Sequence, residues 1–157
     1  MRKNIVWSRF VRWTTVIAGL ILIAASLNLI RAGWVGLIGL TAIVAVVVYA
    51  ARLAPMSLEV TNTELSVHCL LGMSRISLSE IVSVEPYIPG GATVRLCGSG
   101  GFMGYTGLFY RKDIGRFHAY VGAWRQAFLV TTRSGKRYVL SCEGRDEMVA
   151  LLREHVA

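Results

Sequence analysis

Residues 56–69 read "MSLEVTNTELSVHC", and in them the chain changes its period. Met56, Leu58 and Val60 alternate with Ser57 and Glu59; Leu65, Val67 and Cys69 alternate with Ser66 and His68. Apolar residues at every second position line one face of a strand. "TNTE" at 61–64 supplies a turn at Asn62 between the two runs. The stretch therefore predicts a β-hairpin with one apolar face. Upstream the chain is apolar without alternation; downstream the alternation continues.

Upstream, "WTTVIAGLILIAASLNLI" at 13–30 and "AGWVGLIGLTAIVAVVVYAA" at 32–51 carry no charge. They explain a mean hydropathy of +0.54 in a chain with 17% charged residues. About 20 apolar residues, rising about 1.5 Å each, cover a hydrocarbon core of about 30 Å. Each segment thus reads as a membrane span. Only Arg31 separates them. A single helix would place Arg31 at the bilayer centre, at about 2.5–3.5 kcal/mol. A hairpin places it in water, with Asn28 and Gly33 in the expected turn. The first helix is then short and is expected to begin near Phe10, with Arg12 snorkelling to the head groups. Trp7, Trp13, Trp34 and Tyr49 fit interfacial belts. A basic start, an apolar run from Thr14 and the small residues Ala24, Ala25 and Ser26 also fit a cleaved signal peptide. The second apolar run directly behind it favours the hairpin. A buried core hairpin is disfavoured by 20 residues without charge.

Residues 1–52 hold six basic and no acidic residues, of which Arg31 alone lies between the spans. The positive-inside rule puts both termini in the cytoplasm of a bacterial inner membrane, the bilayer being contacted through residues 13–51. Residues 53–157 hold eleven basic and nine acidic residues. The basicity is thus mainly juxtamembrane, which suits anionic lipid and not a nucleic-acid partner. The expected division is a helical hairpin at 1–52 and a cytoplasmic domain at 53–157, joined by a short connector at Arg52–Pro55.

Downstream, "RISLSEIVSVEPY", "TVRLC" and "RFHAYV" continue the strand pattern, and "QAFLVTT" pairs with "KRYVLSC" across Arg133-Ser134-Gly135. "EGRDEMVALLREHVA" turns helical, with Met148, Val149, Leu152 and Val156 on one face. Glu143, Asp146 and Glu147 stand near its start, where the helix dipole favours negative charge. About seven short strands and one amphipathic helix predict a small antiparallel barrel or sandwich with a helical plug.

No chemistry assembles from the motifs. G-x-S-x-G, H-E-x-x-H and P-loop patterns are absent. "GSGGFMG" at 98–104 lacks a following G-K-[ST] and is expected to be a flexible loop. His68 and His118 fall on the polar sides of their strands, and His155 lies in the last helical turn. Cys69, Cys97 and Cys142 form no C-x-x-C pair and read as free thiols; His68–Cys69 lack zinc-ligand spacing. The expectation is no enzyme, no metal, no cofactor and no small-molecule substrate.

"RISLSEIVSV" at 75–84 and "GLFYRKDIGRFHAYVGAWRQAFLVTTRSGKRYVLSCEGRDEMVALL" at 107–152 resemble bacterial PH-like (pleckstrin-homology-like) domains. The resemblance covers roughly residues 56–155. It implies a split barrel of two near-orthogonal sheets capped by the C-terminal helix, often fused to a pair of transmembrane helices. It implies no common enzymatic activity. In eukaryotic PH domains, basic residues between the first two strands grip phosphates. The corresponding "TNTE" has none, so that head-group pocket does not carry over.

Three contact surfaces remain as candidates. Phe109, Tyr110, Arg111, Lys112 and Arg116 combine rings and cations and suit an anionic lipid or a partner; the bland alternative is a solvated turn whose aromatics tuck into the core. Trp124 would anchor a partner if exposed. Gly19, Gly33, Gly36 and Gly39 permit close helix approach, within the hairpin or between copies. The expected function is a protein-interaction or assembly module, through an unknown partner or self-association. The alternatives are an anionic-lipid sensor and an accessory subunit of a membrane transporter or enzyme.

Overall fold

The computed structural model describes residues 1–156, the side chain of Val156 excepted. Helices α1 (Arg9–Ile30) and α2 (Gly33–Leu53) form the hairpin. Both are long and apolar enough to cross a membrane. Ser8 caps α1, its hydroxyl accepting from the Val11 N–H at 3.3 Å. The turn is only Arg31 and Ala32, whose N–H groups bond back to Asn28 and Leu29. Asn28, expected in the turn, lies inside the helix and donates to the Ala24 carbonyl at 2.8 Å. Gly33 opens α2 at φ +61°, a conformation that disfavours a side chain.

The helices approach through Gly36 and Gly39. A Cβ on Gly36 would overlap the Leu29 carbonyl, and one on Gly39 would press the Leu29 methyls at 3.1 Å. Gly36→Val is therefore expected to pry the hairpin apart, at a cost of about 1–3 kcal/mol from overpacking. Thermal unfolding of the full chain in detergent measures it. Gly19 has nothing within 4 Å of its Cβ position, so a side chain there is expected to leave stability unchanged.

Strand β2 (Pro55–Val60) follows α2 after the single residue Ala54. The connector is shorter than expected because α2 keeps its helical bonds to the domain's edge. Strands β3 (Glu64–Cys69) and β4 (Gly72–Ser77) complete the meander. A three-residue strand, β1 (Arg2–Asn4), pairs antiparallel with β2, Lys3 opposite Leu58. The chain before α1 thus adds a strand to the sheet that follows α2. The first sheet runs β1-β2-β3-β4.

The second sheet contains β5 (Ile81–Pro86), β6 (Thr93–Gly101), β7 (Gly104–Arg111), β8 (Gly115–Val121), β9 (Ala127–Thr132) and β10 (Arg137–Ser141). Its order is β5-β9-β10-β8-β7-β6. The final helix, α3 (Arg145–Val156), packs on β5. Met148, Val149 and Leu152 are buried as expected; the side chain of Val156 lies outside the described residues. With Leu58, Leu65, Val67 and Phe128 these residues form one core; Phe109, Phe117, Val121 and Val139 belong to a second.

The fold is a helical hairpin followed by a mainly-β domain with a C-terminal helix, consistent with a PH-like architecture. Three details differ from expectation. Nine strands, β2–β10, lie among the described residues of 53–157, against about seven, with β1 added from before α1, and β8 pairs with β10 in parallel. Residues 98–104 are a strand pair and not a flexible loop. Their glycines face one another because side chains would not fit: a Cβ on Gly98 would overlap the Thr106 carbonyl, and one on Gly107 the Cys97 carbonyl.

Candidate functional site

The six residues selected from the sequence separate into buried and exposed sets. Alternation along β7 turns Phe109 and Arg111 inward and Tyr110 outward. Phe109 is 4% exposed. It stacks on Phe117 at 6.0 Å between ring centroids and meets the edge of Trp124 at 6.1 Å. Trp124 is half-buried and also packs on Tyr87 at 5.4 Å and Tyr105 at 5.1 Å. These rings hold the 124–126 turn against the barrel.

Arg111 is 7% exposed. Its Nε and Nη2 donate to the two oxygens of Asp113 at 2.6 and 2.7 Å. Its Nη1 donates to the carbonyls of Ile88 and Gly90 at 2.9 and 3.1 Å. The guanidinium also lies 4.5 Å from the Tyr87 ring centroid. These hydrogen bonds from Arg111 hold the Asp113 carboxyl below its ordinary value. The same bonds to Asp113 raise the Arg111 pKa. The residue therefore latches the 86–91 loop to the turn after β7. A charge in an aromatic stretch reads as surface; Asp113 is a local partner, but the Ile88 and Gly90 carbonyls lie more than twenty residues upstream and leave no local signal.

Tyr110 (41% exposed), Lys112 and Arg116 remain on the surface. Val94, Tyr110 and Arg116 face each other across β6, β7 and β8. Val94 and Leu96, at 53% and 49%, lie on the edge strand β6, whose outer side pairs with no strand among the described residues. The outer side of β2 is filled by β1, and β4 and β5 end the two sheets on their other sides.

Sequence reasoning missed that β1 pairing and further contacts that join the segment before α1, and α1 itself, to the barrel. The Trp7 indole donates to the Pro55 carbonyl at 3.1 Å, and Ser8 N–H to Gly122 at 3.0 Å. At the β6–β7 tip, Phe102 and Met103 lie against α1, and the Met103 N–H donates to the Thr15 hydroxyl at 2.9 Å. Two residues between paired Gly101 and Gly104 are a hairpin signature, but Phe-Met replaces the usual Asn-Gly.

The histidines and thiols sit in structural settings. His68 meets Glu59 at 2.8 Å, and His118 stacks on Tyr138 at 5.7 Å. Burial pushes the Cys69 and Cys142 thiols up to about 11, away from the thiolate a nucleophile needs. Among the described residues no three of His, Cys, Asp or Glu gather as a metal-ligand group.

The site is thus an open strand edge on a small mixed-sheet domain that is plugged by a helix and follows two candidate membrane spans. The profile of the family described as bacterial PH domain matches residues 56–156, and the chain belongs to that family. No curated protein and no solved structure matches it.

Proposed function

We propose that the protein is a non-enzymatic, membrane-anchored interaction module that holds a partner protein at the cytoplasmic membrane face. The observation that carries this reading is the unpaired outer edge of β6, nine residues long with Val94 and Leu96 exposed. Such an edge accepts an extended segment through main-chain hydrogen bonds, with pockets and side chains setting specificity. The chain fills its own β2 edge in this way with β1, which favours an extended protein segment as occupant of β6. The basic flanks of the two helices support the cytoplasmic orientation. The surface trio Tyr110, Lys112 and Arg116 favours a second reading, contact with anionic lipid.

A photoreactive amino acid at Leu96 of the full chain tests this in cells. A discrete protein adduct is expected, lost when Val94 is changed to Lys. Adducts to lipid alone, or a protein adduct unchanged by Val94→Lys, would remove the edge as the partner site.

A further inference from the structure

An open groove of about 440 Å³ runs between the helical hairpin and the β6–β7 tip, within the usual size of ligand sites, about 300–1,000 Å³. Gly19, Leu22, Ile23 and Leu27 of α1 form one wall, Ile43 and Val47 of α2 the second, and Phe102 with Met103 the third. The groove's polar groups are spoken for. The Thr15 hydroxyl donates to the Val11 carbonyl at 2.7 Å and accepts from Met103, and Ser26 donates to Leu22 at 2.8 Å. An occupant therefore needs an apolar body and gains nothing from hydrogen-bonding groups within the groove.

Its length and its ends narrow the choice. Thr15 to Leu27 is about 18 Å of helix rise, close to the hydrocarbon depth of one leaflet, about 15 Å. Arg12 lies one turn before Thr15 on the same stripe of α1, and Arg9 one turn before that. Both are exposed, and neither enters an ion pair among the described residues. Trp13 stands between them and the span, 67% exposed, at the level where indoles favour the interface.

The tip is built to stay in place. Met103 holds φ +55°, a conformation a non-glycine residue rarely adopts. Strain of this kind persists where surrounding contacts over-determine it. Here they are the Thr15 hydrogen bond and the approach of Gly101 to the Phe10 ring, 3.0 Å from an added Cβ.

We infer that this groove binds an anionic phospholipid of the cytoplasmic leaflet, with an acyl chain along α1 and the phosphate at Arg9 and Arg12. The inference rests on the proposed membrane insertion of α1 and α2, but not on the partner edge at β6. It makes the β6–β7 tip a wedge that seats the barrel on the bilayer at a fixed depth.

The test uses the full chain extracted in mild detergent and exposed to dioleoyl phosphatidylglycerol or dioleoyl phosphatidylcholine, with native mass spectrometry as readout. The wild type should retain phosphatidylglycerol about tenfold or more over phosphatidylcholine, since each cation near an anionic head group contributes measurably. Gly19→Leu reaches into the groove from a position where an added Cβ meets nothing within 4 Å. It should remove most retained lipid of both kinds while thermal unfolding stays unchanged. Arg9→Gln/Arg12→Gln should abolish the head-group preference and leave phosphatidylcholine retention unaltered. Equal retention by wild type and Gly19→Leu would overturn the proposal. So would a Gly19→Leu chain that loses a dimer but keeps its lipid, which would assign the groove to a second copy. Release of the wild type from membranes by alkaline carbonate would instead defeat the insertion reading, and this proposal with it.

Discussion

Replacing Ile5 by Asp should unfold the four-stranded sheet while leaving the helical hairpin formed. Ile5 is buried in the first core although it precedes α1, and its N–H bonds to the Met56 carbonyl at 2.9 Å. The change removes an apolar side chain worth about 1.5–3 kcal/mol on burial and forces a carboxylate toward a dry site. A total loss of about 3–5 kcal/mol is a large part of the roughly 5–15 kcal/mol that holds a domain together. Gly122→Val should produce the same lesion from the other side. Its Cβ would stand 2.5 Å from the Val6 carbonyl and 2.8 Å from the Ile5 side chain. Arg2→Ala should cost about 1 kcal/mol or less, since it removes the Ser57 contact at 3.2 Å and keeps the backbone pairing. Hydrogen exchange of the β2 and β3 amides resolves the three variants. Protection in Ile5→Asp equal to wild type would show that β1 contributes nothing to the sheet.

Arg111→Ala should destabilise the barrel, whereas Lys112→Ala and Arg116→Ala should not. Removing the guanidinium leaves the Ile88 and Gly90 carbonyls and Asp113 without their donor. Charged hydrogen bonds of this kind set the loss at about 2–3 kcal/mol. Arg111→Lys should not restore it, because an ammonium lacks the planar fork that serves Asp113 and two carbonyls at once. Exposed Lys112 and Arg116 should shift stability by less than about 0.5 kcal/mol. The pair also has a pH signature. Asp113 titrates below its ordinary value in the folded chain. Its contribution is therefore present above the ordinary aspartate range and is lost as pH falls through the lowered folded value. Asp113→Asn should flatten that acid limb in a denaturation series run against pH.

The parts legible in the sequence are those in which burial imposes a period. Two charge-free runs give α1 and α2, and Met148, Val149 and Leu152 give the inner face of α3; alternation places β2 and β3 as strands, but Met56 is exposed while Ser57 and Ser66 are buried, because both faces of this sheet are partly covered. Family membership was legible through the resemblance of residues 75–84 and 107–152 to bacterial PH-like domains, and the family profile matches residues 56–156. Contacts made by the backbone left less trace. Strand β1 is the polar triplet Arg2-Lys3-Asn4, and its pairing with β2 needs no side-chain pattern. Glycines at 98, 101, 104 and 107 suggest flexibility by composition, yet Gly98 and Gly107 permit β6 and β7 to approach closely, while Gly101 and Gly104 leave room for Phe10 and Pro55. For Phe109 and Trp124 the sequence leaves contact surface and packing both open, and Arg111 reads as a surface cation beside its rings. The pleat sends alternate residues to opposite faces, and only Tyr110, Lys112 and Arg116 of the six are exposed or largely so.

The central claim is that two spans carry the barrel on the side of the membrane opposite the Arg31–Ala32 turn. It is tested by cysteine labelling in sealed inner-membrane vesicles of known orientation. Cys69, Cys97 and Cys142 are first replaced by Ala, and one new cysteine is placed at Ala32 or at Lys112. With a membrane-impermeant maleimide, Lys112→Cys should label only from the cytoplasmic side and Ala32→Cys only from the opposite side. Labelling of both from one side would contradict the two-span hairpin.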